Sequence, residues 1–216
     1  MEKTGKKISH VTGVLARSVR IIIENILREG GALQEIRMRI GQPLTVMIDG
    51  EEQILPLKER AHIVTKEEIK ETIEYMSRYS LYAYENELRQ GFLTLEGGHR
   101  VGVAGKVIVD RGKVKNIQYI SSLNIRIAHE VIGCADELIP YITKNKKVCH
   151  TLIISPPRCG KTTLLRDLIR QISDGNEYVK GCSVGVVDER SEIGGCYQGV
   201  AQNHVGIRTD ILDACS

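Results

Sequence analysis

Gly160, Lys161 and Thr162 follow one another directly and close the stretch Ser155-Pro156-Pro157-Arg158-Cys159-Gly160-Lys161-Thr162-Thr163. A loop of the pattern G-x-x-x-x-G-K-[ST] needs these residue types for a physical reason. Its backbone N–H groups turn inward around phosphate oxygens, its lysine reaches the terminal phosphates, and its hydroxyl ligates Mg²⁺. Ser155 stands where the pattern has its first glycine, and the rigid Pro156-Pro157 pair is placed to hold the turn instead. Ser155 to Thr163 are therefore the candidate nucleotide-binding residues, with Lys161 on the phosphates and Thr162 on the metal.

A second group of candidates lies downstream. Asp188 and Glu189 follow the apolar run Ser183-Val184-Gly185-Val186-Val187. Ligands of open α/β sheets bind outside the carboxyl ends of strands, so carboxylates at this position would face the same edge as the loop. Asp188 is the candidate metal ligand and Glu189 the candidate for polarising a water. An ordinary acidic strand terminus is the competing reading.

These residues need a strand before the loop and a helix after it. Val148 to Ile154 supply an apolar strand, and Leu164, Leu165, Leu168, Ile169 and Ile172 supply the buried face of a helix over Thr162 to Ser173. Asp174-Gly175-Asn176 then turns the chain into a strand over Ser183 to Val187. Strand and helix alternation implies a parallel α/β sheet with phosphate at the helix N-terminus, where orphan N–H groups and the helix dipole favour negative charge.

The preceding sequence has a different pattern. Apolar residues between Val11 and Glu29 recur at helical spacing until Gly30-Gly31. Ile36, Met38 and Ile40 then alternate with Glu35, Arg37 and Arg39, Gly41-Gln42-Pro43 breaks the run, and Asp49-Gly50 makes a hairpin turn, giving three short strands. Thr65 with Glu68 is a capping-box signature for a helix to about Arg78, and Ser80 to Gln90 read as a second helix. From Gly91 to His129 alternation returns, with turns at Gly97-Gly98 and Asp110-Arg111-Gly112, as an antiparallel meander. The expected organisation is a mixed helix and antiparallel-sheet domain over residues 1–135, a connector over 136–147 containing Lys144 to Lys147, and a phosphate-loop domain over 148–216. The fold class is thus α+β followed by α/β.

Composition excludes several functions. The chain has 216 residues, 30 basic against 27 acidic side chains, no Trp and one Phe. That balance and aromatic scarcity argue against a single-strand nucleic-acid platform. No run approaches the roughly 20 apolar residues of a membrane-spanning helix, so membrane association is expected to go through a partner. The six cysteines form no C-x-x-C pair and lack zinc-ligand spacing; they read as reduced thiols of a cytosolic protein.

The stretches "LIISPPRCGKTTLLRDLIR", "VGVVDERSEIGG", "NHVGIRTDILDAC" and "EIRMRIGQPLTVMIDG" together resemble the stage III sporulation protein AA family, relatives of the secretion-type hexameric ATPases. Ser155 is a habit of that family. The resemblance implies a RecA-like ATPase that binds ATP and Mg²⁺, assembles as a hexamer, and works in the mother-cell cytoplasm beside membrane proteins of a sporulation channel. It places Asp188, Glu189 and Glu192 in an acidic box near metal and attacking water, and Arg100 and Arg126 as arginines that stabilise charge on the γ-phosphate. An arginine finger acts by that physics; a strand residue facing solvent is the alternative for each. The family continues past "LDAC" into a further helix and the Walker B strand, so this sequence resembles the leading part of such a protein. A nucleotide-gated scaffold without turnover is the second expectation. Arg208 and Asp210 carry no assigned chemistry beyond contacts between subunits.

Overall fold

The computed structural model describes residues 9–56, 60–78, 85–157 and 159–213. They divide into two compact units, Met1–Ala128 and His129–Ser216.

In the first unit, α1 (Arg17–Glu29) precedes β1 (Leu33–Arg39), β2 (Thr45–Ile48) and β3 (Glu51–Ile54). α2 (Lys66–Met76) and the short α3 (Glu85–Arg89) lead into β4 (Phe92–Leu95), β5 (His99–Asp110) and β6 (Lys113–Arg126). Residues 80–84 of the helix expected over Ser80 to Gln90 lie outside the described residues, and α3 covers most of the remainder. The strands form one sheet in the order β3-β2-β1-β6-β5-β4, every neighbouring pair antiparallel.

Period-two patterning sets the inward face of this sheet. Ile36, Met38, Leu123 and Ile125 are fully buried and join Leu15, Val19 and Ile23 of the N-terminal helical region in one core. Thr65 and Glu68 make the expected capping box at α2. Glu68 is buried and also accepts from Ser18 of α1 and pairs with His62, and the Ala16 N–H donates to the Thr72 hydroxyl at 3.0 Å. These bonds fix α1 on α2 through groups that would be costly to leave unpaired.

The second unit is built around α4 (Lys161–Asp174). Ahead of it, a 3₁₀ turn (Ile139–Ile142) and a minimal hairpin, β7 (Thr143–Lys144) with β8 (Lys147–Val148), occupy the region read as a connector. Ala135, Ile139 and Ile142 are buried against Leu168 of α4, so residues 135–142 contribute core to this unit. After α4 come β9 (Val184–Asp188) and β10 (Thr209–Asp213), paired in parallel with Asp213 opposite Asp188. Ile169 of α4, Val186 and Val205 form the core beneath them, whereas Val187 and Leu212, adjacent in the ladder, point away from it and are exposed.

Three expectations differ from this structure. The helix expected from about Val11 to Glu29 is interrupted at residues 14–16, and α1 starts beyond the break, with the Ala16 backbone at ψ 142°, outside the helical range. Residues 149–154 join no ladder, and Leu152 and Ile154 are each 81% exposed. An apolar alternation records the capacity to pair; a strand also needs a neighbour whose N–H and C=O groups complete its ladder. β10 lies outside every element expected from the sequence. Its Ile211-Leu212 core is short and flanked by acids, and its pairing comes from β9, far away in sequence.

Candidate nucleotide-binding site

Gly160 lies at φ 78°, in the left-handed region, and is the N-cap of α4. A side chain at this position would be strained, so glycine permits the abrupt passage from loop to helix. The Leu164 N–H donates to the Gly160 carbonyl at 2.9 Å, closing the first turn. No described side chain caps this terminus. Its first N–H groups therefore retain the donor capacity and partial positive charge that suit an anion.

Lys161 folds back over the loop. Its Nζ donates to the carbonyls of Ser155 at 2.9 Å and Pro156 at 2.8 Å, and lies 3.4 Å from the Ser155 hydroxyl. Ser155 thus works through its carbonyl and hydroxyl at the position where the usual loop has a bare glycine. Pro156, Pro157 and Cys159 are exposed, and Thr162 and Thr163 are half-buried in the first turn of α4. Arg158 lies outside the described residues. The donor set fits a nucleoside polyphosphate with Mg²⁺: a left-handed glycine, an uncapped helix start, an ammonium at the loop, and the Thr162 hydroxyl in the first turn.

The acidic stretch is shaped by Asp188. Only 4% of this residue is exposed, and its carboxylate accepts from the Glu192 N–H at 3.0 Å and from the N–H groups of Ile193 and Gly194 at 2.9 Å each. Three backbone donors make it the anchor of its own loop, a role that spacing alone did not show. Glu189 and Glu192 project from that loop and are exposed. Asn203 secures the far side: its Nδ2 donates to the Ile193 carbonyl at 2.9 Å and its N–H to the Gly194 carbonyl at 3.0 Å. Among the described residues no cluster of three or more His, Cys, Asp or Glu side chains has the geometry of a metal cage. A Mg²⁺ here would take few protein ligands, with Thr162 and Asp188 the candidates, and its remaining partners would be substrate oxygens and water, as is common for this ion.

α4 carries further polar residues that belong to no motif. The Arg166 guanidinium donates to the carbonyls of Glu192 and Ile193 in the acidic loop and to that of His129. Burial lowers its pKa, opposed by the carboxylates of Glu130 and Asp188. Asp167 accepts from the N–H groups of Gly133 and Ala135 at 3.0 Å each, from Arg170 at 2.8 Å and from Gln171 at 3.1 Å. Burial pushes the Asp167 carboxyl up, but these donors together outweigh it and hold the group below the usual carboxylate range. At the other end of α4, Arg208 donates through Nη1 to the Ser173 carbonyl at 2.9 Å, and its N–H donates to the Ser173 hydroxyl. It satisfies a helix C-terminus that otherwise has orphan carbonyls.

The two candidate arginines belong to the first unit. Arg100 on β5 and Arg126 on β6 are directly opposed across the ladder, and Arg126 is opposed on its other side by Glu35. Arg126 Nε lies 3.6 Å from the Glu35 carboxylate, while the Arg100 guanidinium stacks 3.8 Å from the centroid of the Phe92 ring. Both side chains thus have local structural partners.

A family model for sporulation stage III, protein AA, matches residues 5–216. The chain belongs to the stage III sporulation protein AA family. The stage III sporulation protein AA of Bacillus subtilis (strain 168) is 41% identical over 209 residues, which is 96% of this chain and 66% of that protein. Among solved structures, the pilus retraction motor PilT with bound ADP is similar at 18% identity and a TM-score of 0.48, over 89% of this chain and 50% of that one. The ATPase DotB of Legionella pneumophila is similar at 13% identity and a TM-score of 0.47, over 91% of this chain and 50% of that one. DotB of Yersinia pseudotuberculosis is similar at 14% identity and a TM-score of 0.49, over 92% and 52%. The chain therefore spans about half the length of these ATPases and 66% of the curated family member. Among the described residues, no helix is long and apolar enough to cross a membrane.

Proposed function

We propose that the second unit binds ATP with Mg²⁺, and that the chain is the nucleotide-binding part of a motor subunit that hydrolyses ATP to power assembly of, or transport through, a sporulation channel. The observation that carries this reading is the start of α4, where a left-handed Gly160, an uncapped helix terminus and the loop-bound ammonium of Lys161 converge. Membership of the sporulation family supports the setting: a homo-hexamer at the cytoplasmic face of the mother-cell membrane, held there by channel proteins.

In this reading the backbone from Ser155 to Gly160 and the first turn of α4 surround the phosphates. Lys161 exchanges its carbonyl partners for phosphate oxygens, and Thr162 holds the metal. Asp188 shapes the loop from which Glu189 and Glu192 orient water, with its own position at the strand end kept as a metal contact. Mg²⁺ when bound would neutralise charge on the phosphate oxygens. Arg100 and Arg126 would stabilise charge developing on the γ-phosphate, releasing Phe92 and Glu35 to do so.

One observation favours a second reading, a nucleotide-gated scaffold without turnover. The Asp188 carboxylate, the metal candidate at the strand end, is buried and already held by three N–H groups, so a catalytic metal would have to share it with the backbone of its own loop. Calorimetric titration of Mg-ATP into the wild-type chain and Lys161→Ala tests both readings. The substitution is expected to weaken binding by about tenfold or more, and equal affinities would sink the phosphate-loop assignment. Measured phosphate release separates the motor from the scaffold: release abolished by Lys161→Ala supports the former, and tight binding with none supports the latter.

A further inference from the structure

Thr162 and Arg166 are four residues apart on α4, which puts both on one stripe of the helix. From that stripe Arg166 reaches three backbone carbonyls with three different nitrogens: Nε to Ile193 at 3.0 Å, Nη2 to Glu192 at 2.6 Å and Nη1 to His129 at 3.3 Å. A planar guanidinium that donates in three directions has little freedom left, and a single ammonium cannot reproduce the pattern. Glu192 and Ile193 also give their N–H groups to Asp188. The same two peptide segments are thus tied by their donors to the end of β9 and by their acceptors to the phosphate-loop helix.

We infer that Arg166 is a positioning residue: it fixes the acidic loop against the Thr162 stripe of α4 and transmits nucleotide occupancy at the helix start to Glu189 and Glu192. This inference rests on the nucleotide reading of the loop. Arg166 acts through the carbonyls that it holds. When a ligand orders the first turn of α4, the second turn and its guanidinium are ordered with it, and the two carbonyls follow. Asp167, the next residue, grips Gly133 and Ala135, so α4 also has a fixed purchase on the chain that enters this unit.

Hydrogen exchange with mass spectrometry on the whole chain tests this, using wild type, Arg166→Lys and Arg166→Met with and without Mg-ATP. Arg166→Met is expected to speed exchange of the Glu192, Ile193 and Gly194 amides by about tenfold or more. In wild type, Mg-ATP slows these amides; in both variants that response is lost while ATP affinity by calorimetry stays within about threefold. The lysine variant carries the comparison if the methionine variant does not fold. Unchanged exchange in the variants would overturn the positioning role. A wild-type loop indifferent to bound nucleotide, a response retained in the variants, or an affinity that falls in step with the response would overturn the transmission. A wild type that binds no Mg-ATP would overturn the nucleotide reading and the transmission with it, and the ligand-free exchange rates would still decide the positioning.

Discussion

Asp188 and Gly194 are joined by a 2.9 Å hydrogen bond from the glycine N–H to the buried carboxylate, so the acidic loop closes on the strand from which it leaves. A carboxylate in the most suggestive position for metal is also the group around which the loop is folded. Asp188→Asn replaces one acceptor oxygen by an NH₂ that confronts a backbone donor. It is expected to destabilise the chain by about 1–3 kcal/mol, and denaturant titration that showed no loss would refute the anchoring role.

Gly160→Ala addresses the loop-to-helix corner. There is open space around a Cβ at this site, so the cost comes from φ 78° alone. A left-handed alanine costs about 1–2 kcal/mol, which should lower the melting temperature of a small domain by about 4–8 °C per kcal/mol. Calorimetry should show this loss together with weaker Mg-ATP binding.

Asp167 makes stability depend on acid. Its folded-state carboxyl titrates below the usual range, so its contribution is fully present above the unfolded value of about 3.9 and is lost as pH falls through the folded one. The stability difference between wild type and Asp167→Asn should be flat from neutrality to about pH 5 and shrink below about pH 4. A difference that grew on acidification would contradict the assignment. Urea melts across this range provide the measurement.

Cysteine chemistry offers a footprint. Burial, then the carboxylates of Asp213 and Asp188, push the Cys196 thiol up to about 11, whereas Cys159 in the loop is exposed. Iodoacetamide at pH 8 should modify Cys159 and spare Cys196 until the protein is denatured, because the thiolate is the nucleophile. Mg-ATP should slow modification of Cys159. Peptide mapping of the labelled chain reads both outcomes.

Arg208→Ala removes the group that satisfies the last turn of α4. The expected loss is about 1 kcal/mol, visible as a lower melting temperature with ATP affinity unchanged.

The parts legible in the sequence are those written in local spacing. The Thr65–Glu68 box, the Asp49-Gly50 turn and the helix after Gly160 each depend on residues within a turn or two of one another, and each is present. β10 is not legible locally because its partner is β9, more than twenty residues upstream, and residues 149–154 pattern as a strand because an apolar alternation does not reveal whether a neighbour exists. The loop from Ser155 to Thr163 is visible in the sequence as a motif. What positions its surroundings is not: Arg166 reads as a surface residue of an amphipathic helix, and only the folded chain shows its three carbonyl partners. Arg208, for which contacts between subunits were the only expectation, has a nearer partner in the end of α4.

The hold of Lys161 on Ser155 and Pro156 bears on ligand selectivity. An ammonium that already has two carbonyl partners gains from an incoming anion only the difference between two sets of bonds. A singly charged oxyanion offers little surplus in that exchange, whereas a polyphosphate chain, with its density of charge and its second grip on the helix start, offers much. In the proposed nucleotide reading the loop would discriminate among anions by competition with its own backbone, and inorganic phosphate or sulfate should be a poor inhibitor of nucleotide binding.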